Sequence, residues 1–126
     1  MTAAAELRVL GDDDLEQAWA QNVVAFANDP ADKPGWLAGF VPAEAVGAFD
    51  GDRLVAKSRA RAFRQWWGGR SVPMAGIASV TVAPDQRGRG LARAVVSASL
   101  ELARQRGDAV AVLYPASVRL YRSLGF

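Results

Sequence analysis

A chain of 126 residues, 51% hydrophobic and 22% charged, is the size of one domain at most with a core of its own, and nothing in that composition suggests disorder. The absence of cysteine and histidine excludes disulfides and a cysteine acyl-enzyme, and leaves no usual ligand set for zinc or haem, so no metal is expected. A formal net charge of +2 argues for no nucleic-acid partner, no apolar run approaches the ~20 residues of a membrane span, and Met1–Glu6 lacks the basic flank and apolar core of a signal peptide, which makes a cytoplasmic setting the expectation.

Near the start, Asp13-x-x-Glu16 reads as a capping box, and Leu15, Trp19, Val23 and Phe26 draw the apolar stripe of a helix behind it. Asn28-Asp29-Pro30 and Lys33-Pro34-Gly35 mark breaks around a short segment. Ala45 to Phe49, the turn Asp50-Gly51-Asp52 and Arg53 to Phe63 read as a hairpin whose second strand alternates basic and small residues, which predicts one wet face. Gly68-Gly69, between Trp67 and Arg70, suits a tight turn into a further long strand, and Pro73 predicts a bulge or an edge position at its beginning.

The run Val80-Thr81-Val82-Ala83-Pro84-Asp85-Gln86-Arg87-Gly88-Arg89-Gly90-Leu91-Ala92-Arg93 is the most informative segment: a strand breaks into a basic, glycine-punctuated loop that opens a helix. The first N–H groups of a helix are unpaired and carry partial positive charge, so a phosphate placed there gains hydrogen bonds and dipole attraction together. Gly88 and Gly90 lack the β-carbons that would hold a pyrophosphate away, and either can take a positive φ. The spacing is not the G-x-x-x-x-G-K-[ST] of a P-loop, and one G-x-G without a third glycine is a poor dinucleotide fingerprint. On these residues alone, a solvated turn rich in Arg and Gly reads equally well.

Leu91, Val95, Ala98 and Leu102 place one apolar stripe on a helix that runs to about Arg106 and stops at Gly107. Asp108 to Leu113 follows as a continuous apolar run, predicting a short strand buried on both faces. A strand, a helix and a strand in this order predict two adjacent parallel strands with a right-handed crossover. After the break at Pro115, Ala116 to Phe126 reads as a short helix ending at Gly125.

Gln86-x-x-Gly88-x-Gly90, set within V-x-P-x-x-R-G-x-G-L-A, resembles the acetyl-CoA loop of the GCN5-related N-acetyltransferases (GNAT), and the closing Tyr121-x-x-x-Gly125-Phe126 resembles a second block of that superfamily. With Phe63 to Arg70 and Val72 to Ile77, these motifs are similar to the Eis-like (enhanced intracellular survival) branch over about residues 46 to 126. The resemblance implies an α/β (α+β) fold with a mixed central sheet flanked by helices, residues 1–126 forming a single domain. It also implies transfer of the acetyl group of acetyl-CoA to a primary amine of a small molecule or a lysine side chain. By resemblance, the main chain of Val80, Thr81 and Val82 meets the pantetheine arm, Gly88, Arg89, Gly90, Leu91, Ala92 and Arg93 wrap the pyrophosphate, and Ala116 and Ser117 approach from the last helix. Tyr121 takes the place of the acid that protonates the departing thiolate.

The family continues beyond the position of Phe126 into strands that complete the sheet and into further domains, so the chain reads as the truncated first part of such a protein. The base is left unassigned, and a homo-oligomer is compatible with the full-length parent. Two alternatives stand beside this reading: an acyltransferase of another acyl specificity on the same fold, and a non-catalytic CoA-binding or structural fragment.

Overall fold

The computed structural model describes residues 4–126. Nine regular elements follow in order: β1 (Glu6–Val9), α1 (Leu15–Phe26), α2 (Lys33–Gly39), β2 (Ala45–Asp50), β3 (Arg53–Trp67), β4 (Arg70–Val82), α3 (Leu91–Arg106), β5 (Val110–Val112) and α4 (Val118–Arg122), with single 3-10 turns between some of them. The strands form one sheet in the order β1-β2-β3-β4-β5. The first four are antiparallel neighbours, and β5 joins β4 in parallel, Met74 opposite Val110. The parallel pair joined through α3 is the predicted β-α-β unit.

Two apolar layers cover the sheet. On one face Leu10, Ala18, Phe40, Ala45, Phe49 and Leu54 pack beneath α1 and α2, with Trp36 stacked on Phe40. On the other, Val95 and Val96 of α3, both fully buried, meet Ala48, Val55 and Ala56 on one side and Ala60, Ala75 and Ile77 on the other. Each such buried valine contributes roughly 1.5–3 kcal/mol over its exposed state. The α3 stripe is turned slightly from the expected one: Leu91, Val95, Val96, Ser99 and Ala103 are buried, while Ala98 and Leu102 lie at its margin.

Local chemistry accounts for the connections. Gly68 and Gly69 both have positive φ, +56° and +79°, which a two-residue turn between right-twisted strands requires, and Trp67 pairs with Arg70 across it. Pro73 stands where the pairing of β5 with β4 begins: its carbonyl accepts from the Ala109 N–H at 2.9 Å, and the ladder from Met74 onward does not call on the N–H that proline lacks. Gly76 has no room for a side chain, because a Cβ there would come within 2.6 Å of the Phe63 ring.

Several expectations change. The capping pair at the start of α1 is Gly11 with Asp14, whose carboxylate accepts from the Gly11 N–H at 2.8 Å and from Arg8; Glu16 instead meets Lys33. The wet face of β3 begins only at Arg61. Leu54 to Ala60 are all buried, Lys57 completely, because α1 and α2 cover the face on which Lys57 and Arg59 lie. Arg59 gives a 2.7 Å hydrogen bond to the Gly39 carbonyl, lies over the Phe40 ring and pairs with Glu44 at 3.6 Å, so its partners come from α2 and the segment just after it. β5 is not buried on both faces: it has three residues, borders only β4 among the described residues, and leaves Val112 47% exposed. β1, which sequence patterning did not single out, is an exposed edge strand.

Candidate active site

β4 is bordered by β5 only from Met74 to Gly76, so Val80, Thr81 and Val82 have a strand beside them on the β3 side alone. An extended amide chain can pair with an edge of this kind. The strand is shaped there by a bulge. Lys57 pairs with Thr81 and Arg59 with Ala78, so Ser58 faces two β4 residues, and one of them, Ser79, has a φ of +53°.

Beyond Val82 the chain makes one 3-10 turn, Pro84–Gln86, and reaches the loop. Gly88 and Gly90 have φ of +80° and +73°, and Gly90 caps α3. A Cβ built on either would meet no atom within 4 Å, so it is the left-handed backbone and not crowding that calls for glycine. The space over the loop is open, and the first turn of α3 faces it. The loop is fastened at both ends to the turn between β2 and β3. Arg53 clasps Asp85 at 2.7 and 2.8 Å, holding that carboxyl well below its usual range, and Arg89 donates to Asp50 at 2.9 Å and to Gln86.

These elements enclose a cleft of about 460 Å³. Of the residues singled out by sequence, Val80, Thr81, Val82, Gly88, Gly90, Leu91, Ala92, Arg93, Ala116, Ser117 and Tyr121 all line it. Arg89 does not: its guanidinium is turned toward Asp50, and the residue borders a separate depression beside Leu7 and Ala94. The loop arginine at the cleft is Arg87. Arg93 bridges to α4, donating to the Ser123 hydroxyl at 2.6 Å. Ser117 caps α4 by accepting from the Leu120 N–H.

Tyr121 is 8% exposed and belongs both to the core cluster under α3 and to the cleft wall. Phe126 meets its ring edge-on at 6.0 Å. Burial pushes its phenol above the ordinary value of 10, so the group keeps its proton at neutral pH. Sequence reasoning missed Ala25 and Phe26, which close the cleft from the end of α1. The spacing of Phe26 predicts a place in the apolar stripe, yet it is 53% exposed: it lies on the cleft lining, and the helix ends directly after it at Ala27 in left-handed conformation. The break at Asn28-Asp29-Pro30 was the available signal. Among the described residues, no group of three or more His, Cys, Asp or Glu side chains is placed to hold a metal ion, and no helix is long and apolar enough to cross a membrane.

A mixed sheet whose strands part beside a glycine loop and a helix start is the fold of the N-acetyltransferases. The family model described as the acetyltransferase (GNAT) domain matches residues 6–126, and the chain belongs to that family. It is similar to the crystal structure of a GCN5-related N-acetyltransferase from Kribbella flavida, with a TM-score of 0.92 and 36% identity, over 98% of this chain and 33% of that one. An uncharacterized N-acetyltransferase of Streptomyces avermitilis is 41% identical over 99 residues, 76% of this chain and 22% of the relative. Eis1 from Mycobacterium abscessus shares the fold, with a TM-score of 0.77 at 24% identity, over 94% of this chain and 30% of that one. The chain thus spans about a fifth to a third of the length of these proteins.

Proposed function

We propose that this domain transfers the acetyl group of acetyl-CoA to a primary amine, of a small molecule or of a lysine side chain, and that it belongs to the Eis-like branch. The observation that carries the reading is the convergence in one cleft of an open strand edge, a left-handed glycine loop at a helix start, and a protonated phenol. The Tyr121-x-x-x-Gly125-Phe126 block and the Gly68-Gly69 hairpin support the branch. On this reading residues 1–126 are one domain, the protein works in the cytoplasm, and acceptor and assembly belong to the whole protein.

Each part of the cleft has a task. The N–H groups from Gly88 to Ala92 hold a pyrophosphate, with Arg87 and Arg93 beside it; a charge-assisted hydrogen bond of this kind is worth roughly 1.5–3 kcal/mol. For Arg89 the proposed contact is through its main chain, the side chain being engaged with Asp50. Val80, Thr81 and Val82 align the amide-rich arm by main-chain pairing, and Ala116 and Ser117 close over it. When bound, acetyl-CoA supplies an activated thioester. As the carbon–nitrogen bond to the amine forms and the carbon–sulfur bond breaks, Tyr121 gives its proton to the departing sulfur, the surplus proton of the amine passes to water, and the Tyr121 phenolate takes a proton back from water.

Titration calorimetry with acetyl-CoA, followed by a thiol-release assay over a panel of primary amines, tests this. Saturable binding with amine-dependent thiol release is the expected result. Saturable binding without release under any amine identifies a CoA-binding unit instead, and no binding removes the loop assignment.

A further inference from the structure

One buried group has no part in the mechanism above. Lys57 is fully buried in β3, and its Nζ donates to Asn22 Oδ1 of α1 at 2.5 Å and to the carbonyl of Ser79 at 3.2 Å. Arg59, two residues on, is the charged neighbour that acts on it, and Glu44 pairs with Arg59 at 3.6 Å. Enclosing a lone ammonium is costly, which makes an inert apolar residue the ordinary choice at such a position. Burial and the charge of Arg59 together push the amine down to about 7. A neutral amine has two N–H donors, and the pocket offers two acceptors.

The second acceptor is what makes the placement informative. Ser79 is the non-glycine residue at φ +53° in the β4 bulge, a conformation that costs free energy unless its surroundings hold it. It immediately precedes Val80, and on the far side of the bulge Gln21 of α1 accepts from the Thr81 hydroxyl at 2.7 Å and donates to the Leu54 carbonyl at 2.7 Å. Two side chains from adjacent positions of one helix, Gln21 and Asn22, therefore grip the bulged segment, Asn22 through Lys57.

We propose that Lys57 is a positioning residue: held between Asn22 of α1 and the Ser79 carbonyl, its amine locks the bulge from which Val80, Thr81 and Val82 present their main chain to the cleft. The lock itself is a property of the free chain. Its consequence for the acetyl-CoA arm rests on the function proposed above.

The test separates the two. Backbone amide hydrogen exchange is measured on the free chain for wild type and Lys57→Met, which keeps length and removes the amine. Exchange at Ser79 to Val82 is expected to rise about tenfold or more, while that of β2 stays unchanged. Adding Ser79→Gly, which takes the left-handed conformation without strain, should restore the protection. Unchanged exchange at the bulge, or a uniform rise across the sheet, overturns the proposal whether or not acetyl-CoA binds. Where wild type binds acetyl-CoA, Lys57→Met should weaken it about tenfold and the double variant should recover it; equal affinity for wild type and Lys57→Met overturns the link to the cleft. If Lys57→Met does not fold, Asn22→Ala, which keeps the amine and cuts its tether to α1, is put through the same measurement, and protection equal to wild type overturns the lock.

Discussion

Arg89, the middle residue of the glycine loop, donates a 2.9 Å hydrogen bond to the carboxylate of Asp50 at the end of β2. The side chain that sequence places on a phosphate is thus holding the loop to the neighbouring turn. If that is its contribution, Asp50→Ala and Arg89→Ala should weaken acetyl-CoA by the same factor, about two- to fivefold, the worth of one surface ion pair, and the double variant should be no worse. Calorimetry of the three variants decides it. A much larger loss for Arg89→Ala alone would put the guanidinium on the ligand.

Glycine substitutions should separate loop from core. At Gly90, φ +73°, any side chain meets backbone strain of roughly 1–2 kcal/mol, and valine adds bulk over the loop N–H groups, so Gly90→Val should cut acetyl-CoA affinity more than about tenfold. At Gly47, an alanine Cβ would come within 2.6 Å of Leu54 Cδ1 and 2.7 Å of Leu10 Cδ2. Gly47→Ala should lower the melting temperature, overpacking costing about 1–3 kcal/mol, and leave the affinity of the folded protein alone.

Tyr121→Phe keeps the ring against Phe126 and removes the proton. Thiol release should fall by about 10²–10⁴ while the dissociation constant of acetyl-CoA stays within a factor of about two. Unchanged turnover would leave Tyr121 a packing residue only.

The depressed Lys57 amine has a consequence for stability against pH. Between about 7 and the ordinary 10.5 the unfolded chain binds a proton that the folded chain has released, so stability rises with pH across this window, and below about 7 the whole cost of the buried charge is present. Tyr121, raised above 10, acts in the opposite direction only at higher pH. The urea midpoint should therefore increase from pH 7 to pH 9.5 in wild type, and the contribution of this group to the increase should vanish in Lys57→Met.

The β-α-β unit was legible because each of its signals has a local cause: periodic apolar residues, a glycine stop at Gly107 with φ +93°, and an apolar run after it. The cleft wall was legible for the same reason, since its parts lie next to the loop in the chain or in one terminal block. What could not be read depends on layers that close from a distance. Alternating charges in β3 signify a wet face until α1 and α2 lie across it, and nothing near Lys57 announces Asn22, 35 positions away. Phe26 has the spacing of a core residue, and it is the cleft, built with residues more than 50 positions further on, that it lines instead. Arg89 has the same local chemistry as Arg87 in sequence, and it is Asp50, 39 positions away, that takes its side chain.

The β3–β4 hairpin is one covalent unit with two unequal parts. Its root, Leu54 to Ala60, is enclosed by helices on both faces, whereas every residue from Arg61 to Arg70 is exposed, including Trp66 and Trp67 at the tip. Among the described residues, the outer strands beyond the last pairing with β2 and β5 pair only with each other, and an isolated two-stranded ribbon is marginal in water. The outer arm therefore borrows its order from the root: it should zip last during folding and fray first under denaturant, while the bulge at Ser79, opposite the root, outlasts it.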